Sequence, residues 1–303
     1  MATIDVKTVT AEPVSDTYYF DTGMYDTPNY GAVYIIDAPE PTLIDTGMGP
    51  DVEKTLAALD ELGIDRDAVA NIVPTHVHLD HAGGAGYLAD ACENATVRCP
   101  AVGARHLADP DRLWEGTRRA VGDQFKYYRE PKPIPESRIE PLHDGDEIDL
   151  GDRTLQVHDA PGHAPHQCLF YSPEDDAVYT ADAAGIYVPE SGEIRPTSPP
   201  SNFDLEQCLA DIDTIRRLDP AVLLYPHFGP AATGEKLDRY ETVLTEWIER
   251  VERARDRHED DAAVTEAVAS SVDGAEPWPD EKAYSETAMN VRGVLGYLDA
   301  RGE

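Results

Sequence analysis

T-H-V-H-L-D-H-A-G-G, residues 75–84, sets His76, His78, Asp80 and His81 within six positions. Imidazole nitrogens and a carboxylate at that density suit a divalent cation, and neither a packed core nor a solvated loop requires them. In an extended turn His76 and His78 project to one side while Asp80 and His81 face a neighbouring point, so one short loop can serve two metals. The apolar run at 68–73 just before the cluster reads as a buried strand, and Gly83-Gly84 just after it open a helix through Ala91 that leaves its N-terminal amides near the cluster.

Upstream, residues 3–45 carry Val6, Val9, Tyr18 and Phe20, then Ala32-Val33-Tyr34-Ile35-Ile36 and Leu43-Ile44, between Pro and Gly turn signals. This predicts an antiparallel meander. After the Asp45-Thr46-Gly47 turn, Val52, Leu56, Leu59 and Leu62 recur at helical spacing. Downstream, residues 106–128 read as helical, and Arg129-Glu130-Pro131-Lys132-Pro133-Ile134-Pro135 is too rich in proline for a regular element, so about 104–136 is expected to form a lid-like insertion. Strand signals return over 138–180, chiefly 154–158, 168–171 and 178–180, before a helix near 204–218 and a strand at 222–225. Strands then helix occurs twice. That order predicts an α/β protein of two sheets packed face to face with helices outside, a four-layer αββα sandwich whose loops meet along one edge. Three helical segments follow at 237–257, 264–272 and 284–298, broken at Asp273-Gly274 and at Pro277-Trp278-Pro279. The expected organisation is a sandwich domain over 1–234 and a helical C-terminal layer over 235–303.

With 303 residues and 41% hydrophobic content the chain can fill a proper core without help from metal. Its net charge of -34, from 59 acidic and 25 basic residues, is a halophile-type composition that serves solubility in salt. Such a surface repels phosphate backbones and shows no basic stripe, so a nucleic-acid partner is not expected. Cys92, Cys99, Cys168 and Cys208 lack paired short spacing and read as buried free thiols of a reducing cytosol. The start, Met1-Ala2-Thr3-Ile4-Asp5, is unlike an export signal, and no apolar run approaches the ~20 residues of a membrane helix. A cytoplasmic protein acting on a small molecule is expected, with no membrane partner and a homodimer left open.

Three later positions each follow an expected strand and sit beside Gly or Pro: His163 in Ala160-Pro161-Gly162-His163-Ala164-Pro165-His166, Asp182 in Tyr179-Thr180-Ala181-Asp182, and His227 in Tyr225-Pro226-His227-Phe228-Gly229. Cluster, Gly-His, lone Asp and late His, in that order over about 30–230, resemble the metallo-β-lactamase superfamily. The resemblance implies two divalent ions, zinc before iron or manganese. It assigns His76, His78 and His163 to the first, Asp80, His81 and His227 to the second, and Asp182 to a bridge between them. Asp45 would accept from a ligand imidazole and fix its tautomer. Two metals about 3.5–4 Å apart share a water, lower its pKa and polarise a carbonyl, which implies a bridging hydroxide as nucleophile. Asp80 is the expected catalytic residue, orienting that hydroxide or carrying a proton to the leaving group.

Other residues stay open. His166 could line the pocket or donate to a leaving group, or be a hydrogen-bonded structural histidine. Tyr187 reads as an ordinary half-buried tyrosine, and His106, His143, His158 and His258 as surface or structural. Arg118, Arg119, Lys126, Tyr127, Tyr128 and Arg129 could bind an anionic substrate tail or pair with the acidic body.

Within the superfamily the chain looks most like the glyoxalase II-like branch and small archaeal hydrolases, which implies hydrolysis of a thioester or of a related ester or lactone. Flavodiiron oxidoreductases carry Glu where this chain has His78. The alternative is a persulfide dioxygenase with one iron on His76, His163 and Asp182. A metal-stabilised binding protein is the non-enzymatic reading.

Overall fold

The computed structural model of the protein describes residues 4–197, 202–271 and 277–302. The first sheet has seven strands in sequence order: β1 (Lys7–Thr8), β2 (Thr17–Asp21), β3 (Ala32–Ile36), β4 (Thr42–Ile44), β5 (Asn71–Val73), β6 (Thr96–Pro100) and β7 (Ile139–Leu142). β1 to β4 pair antiparallel, and β4 to β7 run parallel through helical crossovers. Helices α1 (Val52–Leu62), α2 (Leu79–Ala82), α3 (Ala85–Ala91), α4 (Ala101–Ala108) and α5 (Asp111–Val121) belong to this half. The second sheet contains β8 (Glu147–Asp149), β9 (Thr154–Asp159), β10 (Cys168–Ser172) and β11 (Ala177–Tyr179). A small hairpin, β12 (Ile186–Val188) with β13 (Glu193–Arg195), and helix α6 (Leu205–Leu218) precede its last strands, β14 (Val222–Tyr225) and β15 (Gly229–Ala232). Its order is β15-β14-β11-β10-β9-β8, with only β11 and β14 parallel. Three helices close the chain: α7 (Lys236–Arg255), α8 (Asp261–Ala269) and α9 (Asp280–Arg301).

Strand β3 shows why the sheets stack. All five of its residues are buried, and alternate side chains enter different cores: Val33 and Ile35 meet Leu59 and Leu88 of the first helical layer, while Tyr34 and Ile36 meet Val157 and Phe170 between the sheets. On the other sheet Leu224 faces the inter-sheet core and Tyr225 faces α6 and α7 through Ile212 and Tyr240. The layers therefore run helix, sheet, sheet, helix, the αββα sandwich. Helices α7, α8 and α9 share the core of α6 through Leu244, Val264 and Val294.

Several elements differ from the sequence reading. The cluster segment is not a fully extended turn: residues 79–82 make one helical turn, α2, ahead of a separate α3. The expected helix at 106–128 is two helices and a 3-10 stretch, Gly122–Tyr127. Pro110 explains the break, since its ring excludes the helical conformation for the residue before it. β6, β15 and the β12–β13 hairpin were not foreseen, being short and interrupted by Pro, Gly or charge. The expected break at Asp273-Gly274 lies outside the described residues. Among them, no helix is long and apolar enough to cross a membrane.

Candidate metal centre

Parallel pairing of β4 with β5 puts Ile44 beside Val73, so Asp45 and Thr75 leave the sheet as neighbours. Asp45 adopts a left-handed backbone with φ 62°, which aspartate tolerates. Its Oδ1 accepts from Thr75 N at 2.8 Å and Thr75 Oγ1 at 2.9 Å, and its Oδ2 lies 3.0 Å from His81 Nδ1. A carboxylate here can only accept, so His81 holds a hydrogen on Nδ1 and aims Nε2 inward. Gly83 and Gly84 let α2 lie against the Asp45 turn: a Cβ on Gly84 would stand 2.4 Å from Thr46 O, and one on Gly83 2.8 Å from the carbonyl carbon of Met48.

The other sheet delivers its donors to the same edge. Cys168 N donates to Thr75 O at 2.9 Å across the sandwich, which brings the β9–β10 loop and His163 up to the cluster. Gly162 lets that loop touch α6, because a Cβ there would meet Cys208 N at 2.2 Å. Asp182 and His227 follow the adjacent parallel strands β11 and β14. His227 is clamped: Nδ1 donates to Tyr30 O at 2.8 Å, Tyr187 N donates to its carbonyl at 2.6 Å, and Tyr34 Oη donates to Tyr225 O at 2.8 Å.

All seven donors converge. His78 Nδ1 lies 3.0 Å from His76 Nε2 and 3.1 Å from His163 Nε2. Asp80 Oδ2 stands 3.6 Å from His81 Nε2 and 3.8 Å from His227 Nε2. Asp182 faces both groups, with Oδ2 3.3 Å from His163 Nε2 and Oδ1 3.5 and 3.6 Å from His81 and His227 Nε2. His76–His78–His163 and Asp80–His81–His227 are each compact enough to hold an ion, and Asp182 lies between them. The donor set fits divalent metal on a further count: His81 Nε2 and Asp182 Oδ1 are buried with no hydrogen-bond partner, a costly arrangement that a cation relieves.

Electrostatics divide the imidazoles. Burial, then the neighbouring imidazoles, holds His76 and His78 well below the usual histidine range, and burial lowers His163 to about 3, so these rings stay neutral and keep lone pairs for metal. Burial also opposes charge on His81, yet Asp45, Asp80 and Asp182 overcome it and raise the group to about 10. A cation bound there displaces that proton.

Beside the donors lies a cavity of about 130 Å³ lined by Tyr25, Tyr30, Tyr128, Val121, Glu286 and Met289 together with His78, Asp80 and Asp182. Burial keeps the three tyrosines neutral, well above their usual range. Tyr25 and Tyr128 share a hydrogen bond that ties the insertion to the body. Glu286 pairs with Lys282 at 2.6 Å, and the Lys282 ammonium sits 3.7 Å from the Tyr30 ring centroid. Sequence reasoning missed Tyr30, Glu286 and Met289. Glu286 and Met289 come from α9, which the sequence offered only as part of a helical C-terminal layer.

The remaining candidates are placed plainly. His166 stands 5.0 Å from the His78 ring and 6.4 Å from the His106 ring, so His106 is nearer the site than its sequence context indicated. Tyr187 stacks on Tyr225 at 5.6 Å, and its backbone rather than its hydroxyl serves His227. In the basic insertion Arg118 pairs with Glu115, Lys126 lies over Tyr127 and Arg129 over Tyr87, while Tyr128 reaches the cavity. His143 and His258 are exposed, and His158 is half-buried on β9.

A family model described as the metallo-beta-lactamase superfamily matches residues 26–227. The chain belongs to the metallo-β-lactamase superfamily. An archaeal metallo-β-lactamase superfamily protein from Sulfolobus tokodaii superposes with a TM-score of 0.70 at 21% identity, covering 93% of this chain and 99% of that one. A human acyl-coenzyme A thioesterase is 27% identical over 191 residues, 54% of this chain and 62% of its own length. A hydroxyacylglutathione hydrolase from Maricaulis maris is 29% identical over 155 residues, 51% of this chain and 47% of its own. The chain thus spans less than two thirds of either of these two metallo-β-lactamase relatives.

Proposed function

We propose that the chain is a binuclear metal-dependent hydrolase that cleaves a thioester, with related esters and lactones as the nearest alternatives. The observation that carries the reading is Asp182 standing between two donor triads at the mouth of a small cavity. The relatives named for thioester cleavage support the substrate class. When bound, a pair of divalent ions supplies a lowered water pKa and Lewis-acid polarisation of the carbonyl.

The chain's own residues do the rest. Asp80 is one-quarter exposed, faces His227 and lines the cavity, so its carboxylate would take a proton from the attacking water as that oxygen bonds to the acyl carbon and return it to the thiolate as the carbon–sulfur bond breaks. Asp45 and the Tyr30 carbonyl hold His81 and His227 in the tautomer that presents Nε2. The cavity walls Val121 and Met289 exclude water from the acyl group, and about 130 Å³ suits a short one.

The deciding experiment measures metal content and turnover together on the purified protein against thioesters, lactones, phosphodiesters and β-lactams. Two metals per chain with thioester cleavage and no oxygen uptake is the expected outcome. One iron per chain with persulfide-dependent oxygen uptake would overturn it in favour of the dioxygenase.

A further inference from the structure

On the side of His166 away from His78 lies an open groove of about 640 Å³, formed by α4, the start of α5 and the turn at 133–136. Arg105, His106, Arg112, Asp109 and Glu136 line it. Cations are scarce in this chain, 25 against 59 acidic residues; Arg66, Arg98, Arg153, Arg216 and Arg253 each face a carboxylate, whereas others such as Arg129 and Arg239 form no ion pair among the described residues. Arg105 and Arg112 form no ion pair among the described residues, although Asp109 and Glu136 share the groove with them. The one hydrogen bond from the Arg105 guanidinium goes to His106 Nε2 at 3.3 Å. Both guanidiniums bear on His106, whose pKa is lowered first by burial and then by their charge.

Asp109 and Glu136 line the groove but pair with neither guanidinium, so both arginines keep donors for a ligand. An oxyanion from outside can be gripped bidentately by such a guanidinium. The groove is also positioned for it. His106 stands 6.4 Å from His166 and His166 5.0 Å from His78, so His166 lies between a groove residue and the donors, while the 130 Å³ cavity with Tyr30 and Met289 also borders them. The donor cluster therefore has a small, mostly apolar chamber on one side and, beyond His166, a wide polar groove that contains two arginines free of ion pairs.

We infer that the groove is an anion subsite for the substrate's leaving group: Arg105 and Arg112 hold a phosphate or carboxylate on the thiol side while the acyl group enters the small cavity. The substrate's identity as a thioester rests on the hydrolase reading above; the groove's affinity for an oxyanion does not.

Three thioesters with one acyl group test this on the metal-loaded full chain: a coenzyme A ester carrying phosphates, a glutathione ester carrying carboxylates, and an uncharged N-acetylcysteamine ester. Both arginines are exposed, so the double variant Arg105→Gln with Arg112→Gln is expected to fold. It should raise KM about ten-fold or more for a charged ester, with kcat nearly unchanged, and leave the uncharged ester unaffected. Whichever charged ester loses more identifies the oxyanion. An equal rise for the uncharged ester, or none for either charged one, overturns the assignment. Should the wild-type chain cleave none of them, the hydrolase reading fails and the groove is tested alone by calorimetric titration of inorganic phosphate. Binding weakened about ten-fold by the double variant but kept by Asp182→Asn supports the subsite. Binding lost only in Asp182→Asn puts the phosphate at the metal donors and overturns it, as does no binding at all.

Discussion

Asp182 is the residue on which the centre turns, because its two oxygens face different imidazoles, 3.3 Å from His163 and 3.5 Å from His81. Asp182→Ala should therefore lower metal content below two per chain, measured by elemental analysis, and reduce kcat by about a hundred-fold or more. Two metals retained with full turnover would refute the bridging role. Asp45 acts at one remove. Asp45→Asn leaves the turn its shape but weakens the hold on His81 Nδ1, so metal affinity in chelator competition should fall about 10- to 100-fold while the fold persists. That these seven side chains belong together was legible in the sequence because metal ligation would demand particular residue types, four of them within one short loop. Tyr30 and Glu286 were not, since an aromatic or acidic side chain has no signature until a distant element carries it to the cavity.

At the scale of elements, α5 and α6 behave oppositely. No residue of α5 is buried, yet its Thr117, Ala120 and Val121 line the cavity, so it is held by few contacts and opens at little cost. Trypsin should cut at the exposed Arg118 and Arg119, and a cavity-filling thiol such as mercaptoacetate on the metal-loaded protein should slow those cuts severalfold while cleavage at the remote Arg257 stays unchanged. Equal slowing at all three sites would sink the idea of a lid. α6 instead is locked to the site, with Asp211 Oδ2 accepting from Gly162 N at 2.8 Å. Burial raises the Asp211 carboxyl to about 7. A carboxyl whose folded pKa exceeds its unfolded value binds its proton more tightly when folded, so it costs stability as pH rises from about 4 through 7. Asp211→Asn removes that cost. Relative to wild type it should gain on the order of 2 kcal/mol between pH 5 and pH 8 in denaturant melts of the metal-free protein. A constant difference across that range would show that Asp211 does not titrate there. Helix bounds such as Val52–Leu62 were readable from apolar spacing, whereas the split of 106–128 depended on Pro110 and β12–β13 on a short hairpin of mixed polarity.

For the molecule as a whole, two sheets could be inferred because strands followed by a helix occur twice, and the fully buried β3, β11 and β14 agree with sheets covered on both faces. The strand pairings that bring the donor loops together could not, since β4–β5 and β11–β14 pair in parallel through long crossovers rather than local pattern. Charge acts at the same scale. A net -34 on 303 residues makes the folded surface repel itself, and the pairs that offset it, such as Arg216 with Asp238 and Glu241, are largely exposed and worth little singly. Added salt shortens the screening length from about 10 Å at 0.1 M to about 3 Å at 1 M, which weakens the repulsion more than it weakens those pairs, because repelling neighbours outnumber attracting ones. The melting temperature should therefore rise by about 4 °C or more between 0.1 and 2 M potassium chloride, equivalent to a kcal/mol or two at this chain length. Chloride is the right probe, since it is a weak stabiliser of apolar burial compared with sulfate. A melting temperature that is flat or falls over that range would mean that attractive pairs, not like-charge repulsion, dominate the surface.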